Sequence, residues 1–172
     1  MGNASDDPVR QGLVASLAQP GGNVTGVIDM LPDLAGKRLE LLKDAFPRLS
    51  RVAHLVQRGI PDGPVQTHLR ETEAAARSLG VQVQALQVPS ADDLENAFQA
   101  ATKGGAEALV VVGTGILIPQ RQRIVNLELK NRLPTMHTHP KWVSDGGFMS
   151  YTTDEAARYR RAAEYVDRIL KG

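Results

Sequence analysis

The stretch Ala108-Leu109-Val110-Val111-Val112 is apolar at every position. Side chains along a strand alternate between two faces, so an unalternating run of this kind fits a strand buried on both sides. That condition is met in the middle of a parallel sheet covered by helices. The rest of the chain follows suit. Residues 51–57, 81–88, 107–113, 134–138 and 147–151 read as five strands, and helical stretches separate the first four. Over 64–79, Val65, Leu69, Thr72, Ala76 and Leu79 form one stripe ended by Gly80. Residues 91–103 carry Leu94, Ala97, Phe98 and Ala101 behind a Ser90/Asp93 capping pair, and 119–132 carry Ile124, Val125, Leu127 and Leu129. A last helix starts near Glu155 and aligns Tyr159, Ala162, Val166 and Ile169. Upstream, Val9, Leu13 and Leu17 predict a short helix over 8–18, stopped by Pro20-Gly21-Gly22. A strand over 23–30 and a helix from Leu34 to Ala45, capped by Asp33, complete the pattern. The fold class is α/β: a three-layer parallel sheet of five strands with helices on both faces.

Composition narrows the function. The 172 residues include 20 Lys+Arg and 19 Asp+Glu, a formal charge of +1, which gives a nucleic-acid surface no support. Without cysteine there is no disulfide, Cys-ligated zinc or thiol nucleophile. No apolar run approaches the roughly 20 residues that cross a bilayer. The first residues, Met-Gly-Asn-Ala-Ser-Asp-Asp-Pro, are polar and acidic rather than a signal peptide, so the chain as written is expected in the cytoplasm.

No motif in the chain supplies catalysis. Gly113-Thr114-Gly115 begins like a dinucleotide fingerprint, but Ile118 stands where the third glycine belongs, and a tight turn is the better reading. No phosphate-binding G-x-x-x-x-G-K-[ST] sequence occurs. His137 and His139, two apart, could face one metal, yet no third ligand is evident and Pro140 interrupts the strand. A loop lining a polar pocket or plain surface fits His137-Thr138-His139 better. Ser144, Ser150, Asp145 and His137 lack a nucleophile elbow. Asp6-Asp7 and Asp92-Asp93 suit helix starts. Asn23-Val24-Thr25 is a chance glycosylation match in a strand. Trp142, the single tryptophan, is expected to pack a short helical turn between the last two strands. Catalytic residues, metal and cofactor are therefore assigned as none, and the chain is not expected to be an enzyme.

Several longer stretches carry a resemblance. They are Asp7-Pro8-Val9, Gly12 to Ala18, Pro20 to Val27, Gly36-Lys37-Arg38-Leu39-Glu40-Leu41-Leu42-Lys43, Glu73-Ala74-Ala75-Ala76-Arg77, Gly146 to Tyr151, and Tyr165 to Gly172. Together they resemble the ABC-transporter substrate-binding proteins of the tryptophan/tyrosine-receptor type, across essentially the whole chain. The resemblance implies a two-lobed receptor of the type I periplasmic-binding-protein fold, each lobe a flavodoxin-like (Rossmann-like) α/β unit, that closes on a small ligand and delivers it to a membrane permease. On that template residues 1–35 end the first lobe and cross the hinge, 36–152 are the second lobe, and 153–172 return to the first. It also implies a fragment, without most of the first lobe or the secretion signal of a family that is periplasmic or membrane-anchored.

Ligands of such folds bind outside the carboxyl ends of the strands, where strand order reverses. With the implied order 2-1-3-4-5, that position selects Gln57, Arg58, Gly113 and Thr114, with His137 and Thr138 beside them. Similar proteins often carry Asn or Ser after the first of these strands and Asp after the third, where this chain has Gln57-Arg58-Gly59 and Gly113-Thr114-Gly115. The expected ligand is a small polar organic molecule, an amino acid being one candidate, and an arginine there suits a carboxylate. The alternative is a cytoplasmic α/β ligand-sensing domain related to regulator effector domains, although no helix-turn-helix supports it. The expected partners are the ligand, permease subunits and, through the unpaired stripes Val9/Leu13/Leu17 and Tyr159/Ala162/Val166/Ile169, other copies of the chain.

Overall fold

A computed structural model describes residues 8–9, 12–27, 34–59 and 64–171. The chain divides into two compact units, Pro32–Thr152 and a second made of Met1–Leu31 with Thr153–Gly172.

The larger unit is a five-stranded sheet. Its strands are β1 (Arg51–Gln57), β2 (Gln82–Val88), β3 (Ala108–Val111), β4 (Thr135–His137) and β5 (Met149–Ser150), in the order β2-β1-β3-β4-β5. Every pairing is parallel. The connecting helices are α1 (Ala35–Ala45), α2 (Pro64–Leu79), α3 (Leu94–Lys103), α4 (Arg121–Asn131) and the short α5 (Pro140–Ser144). Alternation along β1 and β3 builds two cores. Val52, Ala108 and Val110 face Leu39 and Leu42 of α1 and Ala76 of α2. Ala53, Leu55, Leu109 and Val111 face Leu94 and Phe98 of α3 and Ile124 and Val125 of α4. All four residues of β3 are buried, which is why its sequence does not alternate.

Local chemistry sets the helix ends. α2 stops in a Schellman turn, with Gly80 left-handed at φ +65° and Val81 N–H donating to the Ala76 carbonyl at 2.9 Å. Ser90 and Asp93 form the expected capping box at a 3₁₀ turn, Ala91–Asp93, that leads into α3. Strands are shorter than the apolar runs suggest. β3 starts at Ala108 because the Glu107 carboxylate turns back to accept from the Ser50 and Arg51 amides, which holds its pKa below the usual range. It ends before Gly113, whose amide bonds a side chain instead of a strand.

The smaller unit departs from expectation. No helix forms at the described residues of 8–18. Gly12 is left-handed at φ +70°, the Pro8 carbonyl accepts from Leu13 N–H, and Ser16 Oγ accepts from Gln19 N–H at 3.0 Å, so the segment is a series of turns. Three apolar residues at i, i+4, i+8 did not outweigh a glycine and a hydroxyl that favour turns. Residues 23–27 form no strand, and the rest of that predicted strand, Asp6-Asp7 and the Asp33 cap lie outside the described residues. The long α6 (Glu155–Lys171) forms as predicted but buries no residue. Tyr159, Ile169 and Leu170 are exposed on it, as are Leu13 and Leu17 in the turns. No helix among the described residues is long and apolar enough to cross a membrane.

One buried polar chain crosses the larger unit's α1/α2 face. Arg38 Nε of α1 donates to the Tyr151 carbonyl at 2.7 Å, and its Nη1 lies 2.8 Å from His68 Nε2 on α2. His68 Nδ1 in turn lies 3.1 Å from His54 Nε2 on β1. Guanidinium only donates, so His68 accepts through Nε2, carries its proton on Nδ1 and passes a hydrogen bond to His54. Both rings are thereby neutral. Burial, reinforced by the Arg38 charge, lowers the His54 pKa to about 4, and burial, His54 and Arg38 lower that of His68 to about 2.

Candidate ligand-binding site

β2 continues the sheet on one side of β1, and β3 continues it on the other. The loops leaving β1 and β3 therefore diverge to opposite faces and leave a crevice beyond their carboxyl ends. Gln57 closes β1, and its Oε1 accepts from Ile116 N–H at 3.2 Å, pinning the loop that follows β3. Gly115 sits at φ +38° against that amide, and a Cβ there would run into Gln57 Oε1. Arg58 is exposed beside it, its own amide donating to the Val88 carbonyl at 2.9 Å.

Across the crevice, Gly113 N–H donates to Thr138 Oγ1 at 3.3 Å, which ties the end of β3 to the end of β4. The Thr114 carbonyl accepts from Leu117 N–H at 2.7 Å and opens the turns before α4. Its hydroxyl is buried and has no partner among the described residues. Gln57 thus bonds the loop that carries Gly113 and Thr114, and Thr138 bonds Gly113, while Arg58 lies exposed after Gln57.

His137 departs from its expected place on the pocket lining. Its ring has no solvent exposure; it stacks on Trp142 with centroids 4.7 Å apart and planes 13° apart. Its Nε2 lies 3.2 Å from Glu128 Oε2 of α4. The ring packs closely on Gly147, where a Cβ would stand 2.7 Å from Nε2. His137 therefore lies behind the rim and supports it. His139 turns the other way, its Nδ1 accepting from Lys141 N–H at 3.0 Å as the N-cap of α5. The two histidines do not converge, and no cluster of three metal-ligating side chains occurs among the described residues.

Two participants went unassigned to the site by sequence reasoning. Trp142 packs its short helix as expected, but it also lies under Gly113, where a Cβ would come within 3.1 Å of its Nε1. Glu128 of α4, which the sequence analysis did not single out, is buried. The signal was its spacing, four residues beyond Ile124 on the stripe that faces the core. Arg121 at the start of α4 pairs with Asp145 at the end of α5, and that hydrogen bond holds the Asp145 carboxyl below its usual range.

Comparison with known proteins places the chain in a family. The family model described as ABC transporter substrate binding protein matches residues 2–172. A tyrosine-binding protein of Clostridioides difficile (strain R20291) is 24% identical over 169 residues, covering 98% of this chain and 48% of its own length. The crystal structure of an ABC domain in complex with L-Trp from Streptococcus pneumonia is 25% identical, with a TM-score of 0.79, over 96% of this chain and 55% of that one. The ligand-free, open structure of a substrate binding protein with adhesive properties from Clostridium difficile shares the fold, at 20% identity and a TM-score of 0.78, over 96% of this chain and 55% of that one. The chain spans about half the length of these relatives. It belongs to the family of ABC transporter substrate-binding proteins.

Proposed function

We propose that the chain is the ligand-contacting part of the solute-binding component of an ABC importer, and that its ligand is a small amino acid of the aromatic class. The convergence of Gln57, Gly113, Thr114 and Thr138 where the strand order reverses carries this reading. The relatives named for tyrosine and crystallised with L-Trp supply the ligand class. In this reading Arg58 pairs the ligand carboxylate in bidentate fashion, and the Thr114 hydroxyl donates to it or accepts from its ammonium. Residues 36–152 act as the second lobe, while 1–35 and 153–172 belong to the first lobe and the crossings. Closure between lobes excludes water, and delivery to the permease takes place on the outer side of the membrane. No step of this function makes or breaks a covalent bond.

Calorimetric titration of L-tryptophan, L-tyrosine and a panel of polar amino acids tests the proposal, on this chain and on the longest reading frame containing it. One aromatic amino acid should bind the longer protein, and Arg58→Ala should weaken it about tenfold, the loss of one charge-assisted pair. If Arg58→Ala and Thr114→Val bind like the parent, the site lies elsewhere. The exposed Leu13, Leu17, Ile169 and Leu170 are proposed to make the chain self-associate on its own, and a monomer in sedimentation would refute that.

A further inference from the structure

Beneath the rim, on the α3/α4 face, a continuous contact path runs from a buried acid to a loop amide. Glu128 Oε2 meets His137 Nε2 at 3.2 Å, and His137 stacks flat on Trp142. The Trp142 indole lies against Gly113, and Gly113 N–H is held by Thr138, the residue after His137. Each link is tight. Both rings pack directly on glycine backbone: a Cβ at Gly147 would stand 2.7 Å from His137 Nε2, and one at Gly113 3.1 Å from Trp142 Nε1. An ionised Glu128 only accepts, so it fixes the donor on Nε2 and with it the tautomer and tilt of the ring. Glu128 Oε1 and His137 Nδ1 have no partner among the described residues, so this single bond carries the orientation. A buried carboxylate with one bond is costly to keep for stability alone, since an apolar side chain of similar size serves a core as well. We propose that Glu128 is a positioning residue: acting through His137, it sets Trp142 under the Gly113–Thr114 loop and so fixes the loop geometry. Only the last consequence, an effect on ligand affinity, rests on the proposed function.

Trp142 is the single tryptophan of the sequence, so its emission reports on this path directly. The test compares Glu128→Ala and Glu128→Gln with Leu127→Ala, a core truncation one residue away on the same helix. Three readouts are taken on the full chain: Trp142 emission, hydrogen exchange at the Gly113 amide, and calorimetry with L-tryptophan. E128A should shift the emission, speed Gly113 exchange about tenfold and weaken L-tryptophan binding about tenfold, the scale of one lost hydrogen bond to a charged group. E128Q keeps an acceptor for Nε2–H and should stay near the parent. L127A should lower the melting temperature and leave all three readouts unchanged. Should E128A not fold, Glu128→Asp, which retracts the carboxylate from His137, must shift the emission in the same direction. An unchanged emission and Gly113 exchange in folded E128A or E128D overturns the proposal, as does an equal shift in L127A. If the longest reading frame binds neither L-tryptophan nor L-tyrosine, the ligand reading fails, while emission and exchange still decide the role of Glu128.

Discussion

The two faces of the sheet each bury histidine, and they treat it in opposite ways. On the α1/α2 face, His54 and His68 are chained to a cation, Arg38, and both are held neutral. On the α3/α4 face, His137 is paired with an anion, Glu128, and stacked on an indole. A histidine has no fixed character in a core. The group opposite its nitrogens decides whether it serves as a neutral relay or as the partner of a charge. The cation-linked pair lies along the interior of β1 and α2, and the anion-linked one stands directly behind the loops at the carboxyl ends.

The sharpest way to break this contrast is to remove the aromatic plate. Trp142 is only 2% exposed, and Trp142→Ala should cost about 3–5 kcal/mol in denaturant unfolding. A cost under about 1 kcal/mol would show that His137 needs no stack. Acid probes the other face. His54 titrates near 6.5 when unfolded and at about 4 when folded, so the fold favours its neutral form. That stabilisation is complete above pH 6.5 and is lost as pH falls toward 4, on the order of 3 kcal/mol. His68, at about 2, extends the loss further into acid. Urea midpoints between pH 7 and 4 should fall accordingly, and the double variant His54→Gln/His68→Gln should flatten the slope. A midpoint constant over that range would mean the pair titrates alike in the folded and unfolded chain. The smallest effect separates two rim neighbours. Gln57→Ala strands the Ile116 amide and should cost about 1 kcal/mol. Arg58→Ala, at an exposed position, should cost about 0.5 kcal/mol or less in the same assay.

Where structure follows from neighbours in sequence, it was legible. Arg51–Gln57 and Pro64–Leu79 have the bounds their patterns predict, because alternation, a helical stripe and Gly80 are local signals. The parallel order and the reversal between β1 and β3 followed from the resemblance and from the run at 108–112. The turns at 12–18 were misread because three spaced apolar residues outweighed Gly12 and Ser16 in the reading but not in the chain. Gln57, Gly113, Thr114 and Thr138 stand at or just beyond strand ends, positions that the strand patterns alone make readable. The supporting layer did not show, because its contacts join different elements: Glu128 to His137, and Arg38 to His68. Both charged residues nonetheless stood on apolar stripes, Arg38 between Ala35 and Leu42 and Glu128 beyond Ile124. A charge on the core stripe of a helix marks a buried pair awaiting its partner.

The bond from Arg38 to the Tyr151 carbonyl joins positions 113 residues apart. One lies in the first helix of the larger unit, and the other follows its last strand. A single guanidinium thus fastens together the two ends of a folded module, as a clasp closes a necklace. A module closed in this way can be spliced into a host chain at one point without its ends being pulled apart, which is the geometry under which domain insertion is tolerated. It also means that the sheet between those ends can be lengthened, reshaped or given new loops over evolutionary time while the clasp keeps the splice in register.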